Sequence, residues 1–320
     1  MNDKKNFMWS YLLQLGSNMW NEEGNTRTRE GRSNQDAYPV LRFDRKLWDS
    51  YVLDLKAVGV NTLVIDLGEA MFFESHPELA VAGSWSHDQM RAEVERLKAL
   101  GFEVVPKLNF SACHDVWLKD YSRMLSTPIY YQVCSDVIRE VCEVFKPKYF
   151  HIGMDEETAG HQKNQDYVVI RQFDLWWKDL YYLVNCVERE GARAWIWSDY
   201  IWNHKDEFLR KMPRSVLQTN WYYGNDFDVE NMDEKHQAYV RSFDILNEYG
   251  YDQVPAGSVW SKHENFELLT KYCAEHISSD LLLGMMQTSW ERVAGPWMHI
   301  QDEAVKRIAG AKTWFDSQNK

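Results

Sequence analysis

Three acids stand in a row at Asp155, Glu156 and Glu157, directly after the short apolar run at 149–153. Adjacent like charges repel, so the run costs stability unless a partner or a function compensates, and the repulsion raises at least one carboxyl pKa. A carboxyl with a raised pKa keeps its proton near neutrality and can deliver it to a leaving oxygen, which is the work of a general acid. Any three successive acids also read as a solvated loop. What favours chemistry is their position at the end of a strand, and that position depends on the elements around them.

Apolar runs of β type alternate with segments of helical period along the whole chain. Strands are expected at 8–15, 62–67, 103–109, 149–153, 194–198, 216–221, 256–260 and 283–289. Helices are expected near 45–58, 87–100, 127–145, 168–190, 204–212, 231–249, 263–277 and 299–316. Gly59, Gly101, Gly191 and Gly250 follow four of these helices, where a left-handed cap ends the coil before a short return loop. Eight alternations over 320 residues, without a Gly-rich phosphate turn after the first strand, predict an α/β fold of the (β/α)8 TIM-barrel type. No linker interrupts it, so one domain over 1–320 is expected.

In such a barrel the catalytic side chains come from the C-terminal ends of the strands. Those windows hold Asp66 and Glu69 after the second strand, Asn109 and His114 after the third, and Asp155–Glu157 after the fourth. Trp197 and Asp199 follow the fifth, Trp221, Tyr222 and Tyr223 the sixth, Trp260 and Glu264 the seventh, and Trp290 with Glu291 the eighth. With 15 Trp and 17 Tyr in the chain, rings are available to stack on the apolar faces of sugars.

The segment His151-Ile152-Gly153-Met154-Asp155-Glu156 resembles the His-x-Gly-Gly-Asp-Glu signature of glycoside hydrolase family 20, the β-N-acetylhexosaminidases. At the eighth strand, Leu283 to Glu291 is similar to that family's Gly-Gly-x-x-x-x-Trp-x-Glu, and Trp197-Ser198-Asp199 to its Trp-x-Asp or Trp-x-Glu element. The resemblance implies that Glu156 is the general acid. Asp155 then orients the substrate's own 2-acetamido group for attack on C1, and no enzyme nucleophile is needed. It also implies that Trp197, Trp221 and Trp290 wall the sugar subsite, that Tyr222 or Tyr223 bonds the acetamide oxygen, and that Glu291 bonds a sugar hydroxyl. His114, Asp199 and Trp260 complete the expected substrate-binding set.

The chain departs from the family at the third strand, where Lys107 and Asn109 replace acids and only Pro106 and His114 match. It also has Met154 at the signature's second glycine, and with its first strand expected at 8–15 it is expected to lack the α/β domain that precedes the barrel in many members. Two other functions fit the same residues. One is a retaining glycosidase whose nucleophile is Glu264 or Glu291, with carboxylates roughly 5 Å apart. The other is a carbohydrate-binding barrel without catalysis.

The remaining features bound the classes. A net charge of −12 repels polyanions, so no nucleic-acid partner is expected. No apolar run approaches the roughly 20 residues of a bilayer span. The five cysteines have no paired spacing and read as free, mostly buried thiols in a cytoplasmic protein, or in one secreted with its leader removed. No metal or cofactor is expected, because the first strand ends in Gln14-Leu15-Gly16, which offers no His-x-His ligands. His151 reads as a core histidine supporting a neighbouring loop, and Trp176, Trp177 and Trp314 as helix packing residues. Arg27, Arg29 and Arg32 follow the first strand on the catalytic rim, where arginine forks would suit a sulfated or carboxylated substrate.

Overall fold

The computed structural model describes residues 7–16, 21, 36–163 and 165–318. Arg27, Arg29 and Arg32 lie outside the described residues. Among the described residues eight strands alternate with eight α-helices: β1 (Met8–Gln14), α1 (Arg45–Ala57), β2 (Thr62–Asp66), α2 (His87–Ala99), β3 (Glu103–Lys107), α3 (Pro128–Phe145), β4 (Tyr149–His151) and α4 (Asp174–Arg189) come first. They are followed by β5 (Arg193–Trp197), α5 (Tyr200–Lys211), β6 (Leu217–Thr219), α6 (Glu234–Glu248), β7 (Ala256–Ser258), α7 (Asn265–His276), β8 (Gly284–Arg292) and α8 (Met298–Gln318).

The strands form one sheet in the order β6-β5-β4-β3-β2-β1-β8-β7, and parallel bridges Gln218↔Gln253 and Trp221↔Ala256 join β6 to β7. This is a (β/α)8 barrel, as the alternation predicts. Local signals set the element ends. Asp44 caps α1 by accepting from Lys46 N and Leu47 N, and Ser86 with Gln89 forms a reciprocal capping box on α2. Gly59, Gly101, Gly191 and Gly250 each follow a helix at positive φ, as expected. The strands are largely buried, and all five cysteines are free and buried. Trp176 and Trp177 are buried in α4 and meet edge to face at 4.8 Å, while Trp314 is half-buried on α8. Among the described residues no helix is long and apolar enough to cross a membrane.

One helix starts later than its periodicity predicts. The apolar run Val168-Val169-Ile170 is not helical, because this stretch is held elsewhere: Val169 N bonds Gln162 Oε1 at 2.7 Å and Arg171 N bonds Glu157 Oε1 at 2.6 Å. Helix α4 begins only at Asp174, after Phe173 at φ +52°.

The chain divides into two compact units. One comprises Met1–Leu13, Asp44–Leu63 and Ile196–Lys320; the other comprises Gln14–Phe43 and Val64–Trp195.

Candidate active site

In the unit of 14–43 and 64–195, the ladder of β4 ends at His151 and the chain turns sharply. Gly153, Met154 and Glu156 take φ of +73°, +75° and +54°. A side chain at positive φ costs on the order of 1–3 kcal/mol and persists only where the surroundings hold it. Gly153 is doubly constrained, since a Cβ there would lie 1.9 Å from Asn109 Oδ1. Met154 has the backbone conformation that suits the family's glycine, and its side chain is accommodated by complete burial.

Asn109 is the main support of this turn. Its Oδ1 accepts from Ser111 N at 3.0 Å and Met154 N at 3.2 Å, and its Nδ2 donates to Asp155 Oδ1 at 2.8 Å. An aspartate here could accept the two backbone protons but would repel Asp155, so the amide fits this chain's geometry. Ser111 Oγ donates to the Asp155 carbonyl, and His151 Nδ1 accepts from Gly153 N at 3.1 Å. His151 is buried against Trp195, and burial together with nearby Lys107 keeps its ring neutral. It is the supporting core histidine that its position suggests.

His114 joins the two leading acids. Its Nε2 lies 3.3 Å from Asp155 Oδ2 and 3.4 Å from Glu156 Oε2. Burial alone would lower its pKa, but the two carboxylates outweigh burial and raise it from 6.5 to about 10. Asp155 responds in the opposite sense. Its burial would raise its pKa, yet His114, Lys107 and the Asn109 amide hold it well below the usual carboxylate range. The expectation that crowding raises a carboxyl pKa is therefore not met at Asp155, because a buried imidazolium, invisible in the spacing of the acids, compensates the charge. His114 Nε2 thus stands within ion-pair reach of both acids.

Glu157 points away from this trio. Its Oε2 accepts from Arg171 Nη1 at 2.6 Å and from Ala112 N at 3.2 Å. Of the other strand-end acids, Asp66 is buried against Lys107, whose Nζ is 2.6 Å from its carboxylate. The residue that replaces a family acid at 107 thus pairs with a carboxylate inside the barrel. Glu69 is buried as well.

His114, Asp155 and Glu156 also offer three ligand atoms within 4.8 Å of one another, the only such group of three among the described residues. A metal there would need the His114 proton displaced, against the two carboxylates that hold it.

In the unit that contains 196–320, the aromatic residues form a continuous run. Trp197 and Trp290 have ring centroids 5.6 Å apart, Trp290 Nε1 donates to Tyr223 OH at 3.1 Å, and Tyr223 stacks on Trp221 at 4.9 Å. Trp202, which lies inside α5 and carries no signal of its own in the sequence, extends the run, edge-on to Trp221 at 4.5 Å. Tyr222 is turned the other way, packed edge-on to Phe227 and buried. Of the two adjacent tyrosines, Tyr223 therefore lies with the tryptophans. Asp199 and Glu291 are buried at the ends of β5 and β8, and Trp260 is half-buried after β7. Glu264, at the start of α7, is more than half exposed and bonded by Asn225 Nδ2 at 3.2 Å. An exposed carboxylate on a helix end lacks the desolvated setting of a nucleophile.

No family model matches the chain. Its fold is that of several solved glycoside hydrolase family 20 enzymes. A Streptomyces plicatus β-hexosaminidase bound to GlcNAc aligns with TM-score 0.64 and 14% identity over 94% of this chain and 62% of its own. A chitobiase of Flavobacterium johnsoniae aligns with TM-score 0.63 and 17% identity over 83% and 45%, and a Vibrio harveyi exo-β-N-acetylglucosaminidase with 0.62 and 12% over 96% and 54%. In sequence, a lacto-N-biosidase of Bifidobacterium bifidum is 21% identical over 201 residues. That match covers 54% of this chain and 18% of the relative, so the chain spans a small part of the curated protein it resembles.

Proposed function

We propose that this chain is a divergent family 20 glycoside hydrolase, an exo-β-N-acetylhexosaminidase that releases terminal GlcNAc or GalNAc with retention. The observation that carries the reading is the pairing of Asp155 and Glu156 through one buried imidazolium. An ionised, desolvated Asp155 is suited to accept the acetamide N–H and turn its oxygen toward C1. Glu156, backed by a proton on His114, is suited to protonate the departing oxygen. With the acetamide as nucleophile, neither Glu264 nor Glu291 has to attack the sugar. Trp197, Trp221, Trp260 and Trp290 are assigned to the sugar's faces and Tyr223 to the acetamide oxygen, with Asp199 and Glu291 as acceptors for its hydroxyls. The solved neighbours, one of them holding GlcNAc, support a carbohydrate ligand.

A panel of nitrophenyl glycosides with and without the 2-acetamido group tests this, extended with a lacto-N-bioside because of the biosidase relative. Turnover of a 2-acetamido β-glycoside and silence of its 2-hydroxy counterpart is the expected pattern. Full activity on the 2-hydroxy glycoside alone refutes it, and binding without turnover favours a carbohydrate-binding barrel.

A further inference from the structure

A buried ion-pair network lies beside the dyad, and none of the chemistry above uses it. The Arg171 side chain is fully shielded and bonds in three directions: Nε to Asp179 of α4 at 2.6 Å, Nη1 to Glu157 at 2.6 Å and Nη2 to the Tyr130 hydroxyl of α3 at 2.7 Å. Glu157 is bound in return by Arg171 N on one oxygen and by Ala112 N on the other. Ala112 is two residues before His114, and Glu157 is one residue after Glu156. Glu157 therefore ties the loop that carries His114 to the loop that carries the acids, and Arg171 fastens both to α3 and α4. Gln162 repeats the link, donating to the carbonyls of Ala112 at 2.6 Å and Val169 at 2.9 Å.

The loop between has a reason to need fastening. Met154 and Glu156 hold positive φ, which the chain leaves once its restraints relax. A guanidinium fork suits the task because one planar group reaches three acceptors at fixed angles, whereas an ammonium is a point charge on a flexible stem. We propose that Arg171 and Glu157 are positioning residues, a buried clamp that fixes the loop bearing Asp155 and Glu156 against the loop bearing His114. Its catalytic consequence rests on the reading of Asp155 and Glu156 given above; its structural consequence does not.

Arg171→Lys and Glu157→Gln test the clamp, with thermal unfolding measured first. Kinetics follow on GlcNAc β-glycosides with a poor and an activated leaving group, and the His114 imidazole is titrated by NMR without ligand. That titration reads His114 among Asp155, Glu156, Asp66 and Asp115, the acids whose charges it feels. In folded variants kcat on the poor leaving group is expected to fall about tenfold or more with KM little changed, the pattern of a misplaced acid, and less on the activated one. The His114 midpoint is expected to drop toward 6.5 as its carboxylates move away. A folded Glu157→Gln protein with parental kcat and parental His114 midpoint overturns the clamp, as does an equal loss on both leaving groups that follows the loss of thermal stability. Failure of both variants to fold also overturns it, by making the pair a determinant of stability alone. If the parent hydrolyses no glycoside, the proposed function fails while the His114 titration still decides the clamp.

Discussion

Glu156→Gln is expected to lower kcat/KM by about 10²-fold or more on glycosides with poor leaving groups, the contribution typical of a general acid. The amide keeps the shape of the side chain and can accept from His114 through its oxygen, but its N–H is far too weak an acid to protonate the glycosidic oxygen. On activated aryl glycosides, whose phenolates leave without protonation, the loss is expected to be much smaller. Steady-state kinetics on a matched pair of substrates reads the difference. The same loss on both would mean that Glu156 does something other than proton delivery.

Asp155→Asn is expected to cost about 10²-fold or more on both classes of substrate, because the acetamide must be aimed before any leaving group departs. This variant also has a signature in stability. The raised His114 pKa contributes stability that is fully present below 6.5 and is lost as pH rises toward about 10. The lowered Asp155 pKa contributes stability present above 3.8 and lost as pH falls further. Both statements describe one ion pair and count once, so the parent is expected to gain most from it between those two values. Unfolding midpoints measured from pH 6.5 upward should fall in the parent and fall less steeply in Asp155→Asn, where only Glu156 remains beside the imidazole. A parental slope in the variant would show that Asp155 does not hold the His114 proton.

The barrel was legible because each strand and helix carries its period in a short window, and the helix-ending glycines mark where one gives way to the next. Asp155 and Glu156 could be singled out because the motif at 151–156 is local, and both lie beside His114 after β4. The supports of the dyad were not legible. Arg171 reaches Glu157 across 14 residues of loop, in a stretch whose apolar run mimics a helix, so a long-range ion pair overrode local periodicity. At the third strand, Lys107 and Asn109 looked like losses of acid. Only the neighbouring strands show that one neutralises Asp66 and the other bonds both the turn at Gly153–Met154 and Asp155. The positive φ at Glu156 could not be read, since that residue type gives no sign of it, and at Met154 the one sign was the glycine that the resembled signature has there. The tyrosine pair was half legible: adjacent residues on extended chain point opposite ways, so only one of Tyr222 and Tyr223 could join the tryptophans.

Binding of a thiazoline that mimics the cyclised sugar, set by calorimetry against binding of GlcNAc itself, tests whether the nucleophile comes from the substrate. The thiazoline is expected to bind about 10²-fold tighter or more than GlcNAc, as analogues of high-energy states do, and to lose most of that margin in Asp155→Asn. Equal affinity for the two ligands, together with a stable 2-fluoroglycosyl ester trapped on Glu291, would contradict it.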